Sequence, residues 1–156
     1  MRSFLLKNGT PICPWGSLKE STFYNGRVPE GYDLAVTPSP GYIIIDVDNK
    51  NGKNGSKNVP INLVNEFEST FHYPTKNGGF HYWFKYTGKE ILPNTTSNLS
   101  IDLRVGPRKN NAGGYVKWHP RHELDIRDCI NKIKDTSTEL EDWLKTIFIY
   151  KSKKKK

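Results

Sequence analysis

The sequence contains little cysteine and no long apolar run. Cys13 and Cys129 are its two cysteines; they form no C-x-x-C pair, and no histidine stands at zinc-ligand spacing from them. Neither a disulfide framework nor a zinc site is therefore indicated. No apolar run approaches the roughly 20 residues that a membrane-spanning helix needs, and the apolar stretch near the N-terminus is too short for a signal peptide. We expect a protein of a reducing, cytoplasmic compartment without a membrane partner.

Acidic residues are scarce relative to basic ones. Sixteen Asp and Glu stand against 24 Lys and Arg, which gives a formal net charge of +8. Such a balance favours polyanionic partners, nucleic acid first and anionic membranes second, although ordinary surface lysines explain it as well. Five of the lysines belong to the tail 151–156, which we expect to be disordered. Residues 1–150 are then expected to form one mildly basic domain.

Strand-like and helix-like segments are interspersed along the chain. Short runs of β-branched and aromatic residues predict strands at 32–36, 42–48, 80–86, 99–106 and 115–120. Apolar spacing predicts helices at 59–71, 123–133 and 136–150. The last helix would begin with a capping box from Thr136 to Glu139. The apolar run at 42–48 suits a strand at the centre of a sheet, buried on both faces. The mixture predicts an α+β (mixed α/β) fold.

Two aspartates follow the apolar run in "YIIIDVD". Asp46 and Asp48 are separated by one residue, so in a strand both carboxylates project from the same face. Carboxylates that close repel each other unless a cation lies between them, and magnesium or manganese, which prefers oxygen ligands, is the natural one. The alternative is that the pair only caps the following loop. A calcium EF-hand is excluded, because Asn51 and Lys57 stand where that loop needs Gly and Glu.

A pair of glycines precedes an aromatic strand in "TKNGGFHYWFKY". Consecutive glycines allow backbone N–H groups to approach an anion. Strand alternation then places His81, Trp83 and Lys85 on one face, with aromatic rings on the other. An imidazole and an ammonium beside such a turn suit a phosphate group, whereas a plain hairpin with one surface histidine is the alternative.

A third pattern is the strand "SIDLRVG", in which Asp102 and Arg104 share one face. An acid and a base arranged in this way often form only an ion pair. Alone, none of the three patterns identifies a site. What distinguishes them is their order along one short chain.

In this order, the three patterns resemble the motif series of the archaeo-eukaryotic primase superfamily. The matching segments are "IIIDVD", "TKNGGFHYWF" and "IDLRVGPRKNNAGGYV", and "YDLAVTPSPG" resembles the segment that leads into the first motif. The resemblance extends over residues 33–120 and is strongest to the primase-polymerase (prim-pol) branch of phages, plasmids and mobile elements. It implies a catalytic core in which a small α/β unit packs on an RNA-recognition-like antiparallel sheet.

The resemblance also implies an activity and a set of site residues. The activity is template-directed joining of dNTPs or NTPs to a primer 3′-hydroxyl, with DNA template and primer, and a replicative helicase or accessory module, as partners. Asp46, Asp48 and Asp102 would hold two Mg²⁺ or Mn²⁺ ions, and His81 would contact the phosphates of the incoming nucleotide. Tyr115 is one candidate for the residue beside the sugar. Further residues expected beside the triphosphate are Thr75, Lys76, Gly79 and Arg104. Residues expected to contact nucleic acid are Lys50, Lys53, Lys57, Arg108 and Lys109.

Two features depart from the family pattern. Lys76 and Asn77 precede the glycine pair where the family usually has a small residue, which bears on the nucleotide contacts. Many relatives also carry a helicase or a zinc-bearing module, and neither is found in this sequence. We expect either a minimal standalone enzyme or an excised catalytic domain, of bacterial or viral origin.

Two other function classes stay open at this level. A metal-dependent nuclease of the D…DxK type would use Asp33, Asp48 and Lys50, but it leaves His81 and Asp102 without a task. A non-catalytic module for single-stranded nucleic acid would stack bases on exposed aromatic side chains, but it leaves the spaced acids unexplained. The aromatic residues that it would use are Tyr82, Trp83 and Trp118.

Overall fold

The computed structural model describes residues 1–19, 22–24, 26–108 and 111–150, without the side chain of His122. These residues form nine β-strands in two sheets and two α-helices, so the predicted α+β class is confirmed. The tail 151–156, expected to be disordered, and Lys109, expected to contact nucleic acid, lie outside the described residues. Among the helices described, none is long and apolar enough to cross a membrane.

Strands dominate the chain and the helices are short. In chain order the strands are β1 (Arg2–Lys7), β2 (Thr10–Pro11), β3 (Tyr32–Thr37), β4 (Tyr42–Val47), β5 (His72–Pro74), β6 (Phe80–Lys85), β7 (Ile101–Val105), β8 (Val116–Lys117) and β9 (Lys134–Asp135). The α-helices are α1 (Val64–Ser69) and α2 (Thr138–Lys145), and α2 continues as a π-helical turn over Thr146–Tyr150. Turns of 3₁₀-helix occur at Trp15–Ser17, Gly55–Asn58, Ile61–Leu63, Arg121–Glu123, Ile126–Asp128 and Ile130–Lys132.

The second sheet is built around β4. Its order is β5-β6-β4-β7, all antiparallel, and β9 pairs with β6 in parallel. Strand β4 is therefore hydrogen-bonded on both edges, and Ile43, Ile44 and Ile45 are at most 3% exposed. A strand buried on both faces is what the continuous apolar run predicts, and the prediction is confirmed.

The two faces of β4 contact different apolar clusters. On one face, Ile43, Ile45 and Val47 pack against α1 and α2, through Phe67, Leu140 and Leu144. On the other face, Ile44 packs against the first sheet, whose order is β2-β1-β3-β8. The residues in contact there include Val36, Trp83, Val116 and Trp118. The two sheets consequently lie face to face, and side chains of β4 that share the face of Ile44 point towards the first sheet.

The prediction that Trp83 and Trp118 are exposed for base stacking is wrong. Trp83 is 0% and Trp118 1% exposed, because both lie in the apolar layer between the sheets. Tyr82 is half-buried and packs edge-on against Phe67 of α1, with ring centroids 4.9 Å apart. A buried indole has no free face for a nucleobase, so neither tryptophan can supply the stacking surface predicted for a binding module.

The segment 123–133 was predicted as one helix, and this prediction is wrong. It forms two 3₁₀ turns, Ile126–Asp128 and Ile130–Lys132. The Asp125 carboxylate accepts the backbone N–H of Arg127 at 2.8 Å and also pairs with its guanidinium. An aspartate that bonds the backbone two residues ahead favours a tight turn over a continuous helix.

The capping of α2 also differs from the prediction. Ser137, not Thr136, is the N-cap, and its Oγ accepts the N–H of Leu140 at 3.1 Å. The reciprocal carboxylate is not Glu139 but Glu66 of α1, which accepts the backbone N–H of Ser137 at 2.8 Å and also its hydroxyl. One carboxylate therefore joins the two α-helices that cover the second sheet.

A buried arginine organises the loops around the first sheet. Arg2 is 3% exposed. Its guanidinium donates to the carbonyls of Leu18 at 3.2 Å and Ala112 at 3.3 Å, and it lies 6.0 Å from the ring centroid of Trp15. Burying a charge is costly unless its donors are satisfied; both terminal nitrogens of Arg2 have acceptors, whereas its buried Nε has none among the described residues. Arg2 thereby holds the segment that leads into Tyr115 against β1.

The Glu66 contact predicts a stability effect. Glu66→Ala leaves the N–H of Ser137 without its acceptor at the start of α2. We expect a loss of about 1–2 kcal/mol in the free energy of unfolding, measured by urea denaturation. Glu68→Ala, an exposed neighbour on α1, is the control and should change stability by less than about 0.5 kcal/mol. Equal effects of the two substitutions would contradict the assigned role of Glu66.

Candidate active site

Three predicted site residues lie side by side on adjacent strands. Asp46 of β4 is the cross-strand partner of His81 on β6 and of Asp102 on β7. Residues paired across antiparallel strands project from the same face of a sheet. This row of Asp46, His81 and Asp102 lies on the face that Ile44 presents to the first sheet, just beyond the apolar layer.

A cavity of about 300 Å³ opens between the sheets at this row. One wall comes from the second sheet and the loops at its end: Asp46, Asp48, Lys50, Thr75, Lys76, Asn77, His81 and Arg104. The other wall comes from β8 and its flanks: Tyr115, Val116, Lys117 and His119. Eight of the fourteen site residues proposed from sequence line the cavity, and they come from all three motifs: Asp46, Asp48, Lys50, Thr75, Lys76, His81, Arg104 and Tyr115. Asp102 is not among the lining residues and lies beside Asp46 in the ladder.

His81 is buried rather than displayed on a surface hairpin. It is 4% exposed, and its Nε2 lies 3.4 Å from Oδ1 of Asp46. Its Nδ1 lies 3.0 Å from the hydroxyl of Tyr73. The alternative of a plain surface histidine is therefore wrong. Both ring nitrogens have partners that fix the plane of the imidazole.

The aspartates of the row have opposite pKa shifts. Burial raises the pKa of the Asp46 carboxyl, but the hydrogen bond with His81 and the positive charge of Arg104 outweigh it and hold that pKa below its usual value. Burial raises the pKa of Asp102, and the nearby charge of Asp46 adds to this, while Arg104 offsets only part of the shift. The Arg104 guanidinium lies 3.6 Å from the Asp102 carboxylate. Asp46 is thus the more readily ionised of the two.

Asp48 caps the loop that follows β4 and also lines the cavity. It lies just after β4, and its backbone N–H donates to Ser100 at 2.9 Å. Its Oδ1 accepts the N–H of Lys50 at 3.1 Å, as a loop cap does, and Oδ2 lies 3.4 Å from Nζ of Lys53. Because Asp48 also lines the cavity, the capping contact does not remove it from the site.

The oxygen donors of the site suit a hard divalent cation. Within the described ranges, no group of three or more His, Cys, Asp or Glu side chains could hold a metal ion by itself. Magnesium is usually bound by only one or two carboxylates, with water and substrate phosphates completing the octahedron. Asp46 and Asp48 line the cavity together, with Asp102 beside Asp46, so the residues present fit such an ion.

The remaining predicted residues lie at different distances from the cavity. Gly79 packs behind the turn 75–77, where a Cβ would meet the carbonyl oxygen of Val47 at 2.3 Å. Lys53 pairs with Asp48, and Lys57 is exposed on the turn Gly55–Asn58. Arg108 lines a separate cavity of about 220 Å³ beside Tyr42 and Ile43, at the opposite end of β4.

Two ionisable residues of the cavity were missed at the level of sequence. His119 and Lys117 line the wall opposite Asp46, and the His119 ring packs edge-on against His81, with centroids 5.3 Å apart. Burial and the neighbouring positive groups lower the pKa of His119 to about 4, so its imidazole is neutral near pH 7. The signal in the sequence was that the ionisable residues Lys117 and His119 alternate in "YVKWHP" with Val116 and Trp118, which are buried.

Comparison with known proteins does not assign the chain to a family. No protein-family model matches the sequence, and no curated protein matches it significantly. The residues that line the cavity and their contacts are therefore the basis for any functional assignment.

The close packing at Gly79 predicts a large effect of a single methyl group. Gly79→Ala would press a Cβ against the backbone of the central strand, and we expect a loss of about 3 kcal/mol in the free energy of unfolding. Gly78→Ala is the matched control. Its Cβ meets nothing within 4 Å, and only the left-handed φ of +85° is unfavourable, at about 1 kcal/mol. Urea denaturation that ranked the two substitutions in the opposite order would contradict this account.

Proposed function

We propose that the chain is a template-directed nucleotidyltransferase, the catalytic core of a primase-polymerase, which joins nucleoside triphosphates to the 3′-hydroxyl of a primer on a DNA template. The row of Asp46, His81 and Asp102 beside Asp48 carries the proposal. It combines acids that can hold cations with a buried imidazole that can contact a phosphate, and it does so at a cavity open to solvent. The order of these residues in the chain is the order of the motifs that resemble the superfamily.

The charges around the cavity support a polyphosphate substrate. The basic residues that line it are Lys50, Lys76, Arg104 and Lys117. The same cavity is also lined by the carboxylates of Asp46 and Asp48. An anionic ligand bound through divalent cations would satisfy both sets at once, because the cations neutralise the carboxylates while the basic side chains contact the phosphate oxygens.

The chemistry divides among the residues as follows. The oxygen of the primer 3′-hydroxyl loses its proton to water and forms a bond to the α-phosphorus of the nucleotide. The bond from that phosphorus to the oxygen bridging it to the β-phosphate breaks, and pyrophosphate leaves. Asp46, Asp48 and Asp102 would hold Mg²⁺ or Mn²⁺, which, when bound, supplies activation of the hydroxyl and neutralisation of the leaving group. Nε2 of His81 faces Asp46 Oδ1, and with Asp46 holding a cation the Nε2 proton would be available to a phosphate oxygen. Lys76 and Arg104 would bind the remaining phosphate charge.

The arrangement of the second sheet supports the finer fold assignment as part of the same proposal. Strand β4, helix α1 and strands β5 and β6 follow one another as strand–helix–strand–strand, in the spatial order β5-β6-β4. An RNA-recognition-like module begins in this way and presents one face of a four-stranded sheet to its ligand. Here β7 would be the fourth strand and the face of Asp46 the functional face. Helix α2 follows β7 in the chain.

The contacts of Asp33 do not favour the nuclease alternative. Its carboxylate lies 3.4 Å from Lys117 and 3.4 Å from Arg121, as an ion-pair cluster on the first sheet. Asp48 and Lys50 line the cavity, but Asp33 is not among its lining residues. In that mechanism all three would have to meet at one scissile phosphate.

The first test is primer extension with single isosteric substitutions. The protein is incubated with a 5′-labelled primer on a longer template, Mg²⁺ or Mn²⁺, and dNTPs or NTPs. We expect template-dependent lengthening that EDTA abolishes. Asp46→Asn and Asp48→Asn should each lower kcat/KM by about 100-fold or more, because a neutral amide holds a divalent cation poorly. Asp142→Asn is the control, since Asp142 is exposed on α2 and lies 3.4 Å from Lys145 of the same helix, away from the cavity.

Other products would identify other functions. Shortening of the labelled strand that requires Lys50 but not His81 would favour the nuclease. A retarded but unchanged strand, with no product on an unprimed template either, would leave a nucleic-acid-binding module. In both cases the proposed polymerase activity would be rejected for this chain.

A second prediction concerns nucleotide binding. Lys76→Ala removes an ammonium from the cavity wall without touching the carboxylates. We expect KM for the nucleotide to rise about 10-fold with little change in kcat, as for the loss of an interaction made equally in ground and transition states. Lys89→Ala, outside this cavity, should leave both constants unchanged. A fall in kcat at unchanged KM would assign Lys76 to the chemical step instead.

A further inference from the structure

A chain of hydrogen bonds runs behind His81, on the side away from the cavity. The hydroxyl of Tyr73 on β5 lies 3.0 Å from Nδ1 of His81 and 3.2 Å from Nε1 of Trp83. All three side chains are buried: Tyr73 is 6%, His81 4% and Trp83 0% exposed. None of these groups faces bulk water, so the direction of each bond follows from which atoms carry protons.

The indole of Trp83 determines the direction of the chain. An indole N–H can only donate, so it uses one lone pair of the Tyr73 oxygen. The hydroxyl proton of Tyr73 then needs an acceptor of its own, since a buried donor without one is costly. Burial raises the pKa of Tyr73 far above its usual value, so that proton is retained. The acceptor within reach is Nδ1 of His81.

The contact on the other side of the imidazole also requires the proton to be on Nε2. Nε2 of His81 lies 3.4 Å from Oδ1 of Asp46. A carboxylate oxygen can only accept, so a bare Nε2 would place two lone pairs against each other. A proton on Nε2 and none on Nδ1 satisfies Tyr73 and Asp46 together. The opposite tautomer satisfies neither.

We propose that Tyr73 is a positioning residue that fixes His81 in the tautomer protonated at Nε2, so that the imidazole presents a donor to the cavity. The consequence for catalysis rests on the proposed function, because a phosphate oxygen needs a donor and not a lone pair. The tautomer itself does not depend on any activity. Tyr73 touches no substrate, and it acts only through His81.

Nitrogen NMR of the full chain tests the tautomer without nucleotide or metal. Correlation of the imidazole carbon-bound protons with both ring nitrogens in ¹⁵N-labelled protein shows which nitrogen is protonated, and the signals lost in His81→Gln assign His81 among the four histidines. We expect a bare Nδ1 and a protonated Nε2 in the wild type. In Tyr73→Phe the Nε2-protonated population should fall. Tyr82→Phe removes a hydroxyl from the opposite face of β6 and should leave the His81 signals unchanged.

Two results would overturn the proposal. One is a protonated Nδ1 in the wild type, and the other is a Tyr73→Phe spectrum identical to that of the wild type. Should Tyr73→Phe fail to fold, as judged by thermal unfolding, the wild-type spectrum still decides, because a protonated Nδ1 rejects the role and a bare Nδ1 supports it.

Kinetics separate this proposal from the function on which its consequence depends. Tyr73→Phe should lower kcat/KM for nucleotide incorporation about 10-fold, as removal of a supporting hydrogen bond does, while Tyr82→Phe matches the wild type. A wild type without polymerase activity but with the expected spectrum would reject the function and keep the tautomer. Full activity in Tyr73→Phe would reject the positioning role while the polymerase stands.

Discussion

The placement of β4 between β6 and β7 is the constraint on which the rest of the structure depends. Both of its edges are hydrogen-bonded and both of its faces are covered, by α1 and α2 on one side and by the first sheet on the other. A strand in that position has its register fixed from every direction. Asp46 is the residue where this buried strand reaches the cavity. His81 and Asp102 lie beside it because they are its cross-strand partners, and no flexible loop positions them.

Much of this centre could be predicted from the sequence because it depends on local periodicity. The apolar run at 42–48 gave a central strand, and the alternation of β6 correctly placed His81 and Trp83 on one face. The i, i+2 spacing of Asp46 and Asp48 gave two carboxylates directed to one cavity. In each case the side-chain direction follows from the two-residue repeat of a strand, which needs no knowledge of distant residues.

The wrong predictions concern features that depend on residues far away in the chain, or on a side chain that competes with the helix for backbone hydrogen bonds. The cap of α2 is completed by Glu66, far away in the chain, so the nearby Glu139 was assigned in its place. Trp83 and Trp118 are buried because the two sheets meet there, and composition alone cannot show which face a second sheet covers. His119 was overlooked because its partner His81 comes from that second sheet. Asp125 broke a predicted helix by bonding its own backbone neighbour.

The ladder that assembles the site also governs when the site can exist during folding. Asp46 pairs with His81 and Asp102, which both lie far from it in the chain. Strand β3 likewise pairs with β1 near the N-terminus and with the much later β8. Forming such non-local pairs costs the entropy of closing a large loop before any contact is gained. Topologies with many such pairs have a high contact order and fold slowly. A chain that has formed its helices and the β5–β6 hairpin alone would still lack the cavity. We therefore expect the cavity and the row of Asp46, His81 and Asp102 to form late in folding, together with the antiparallel ladder.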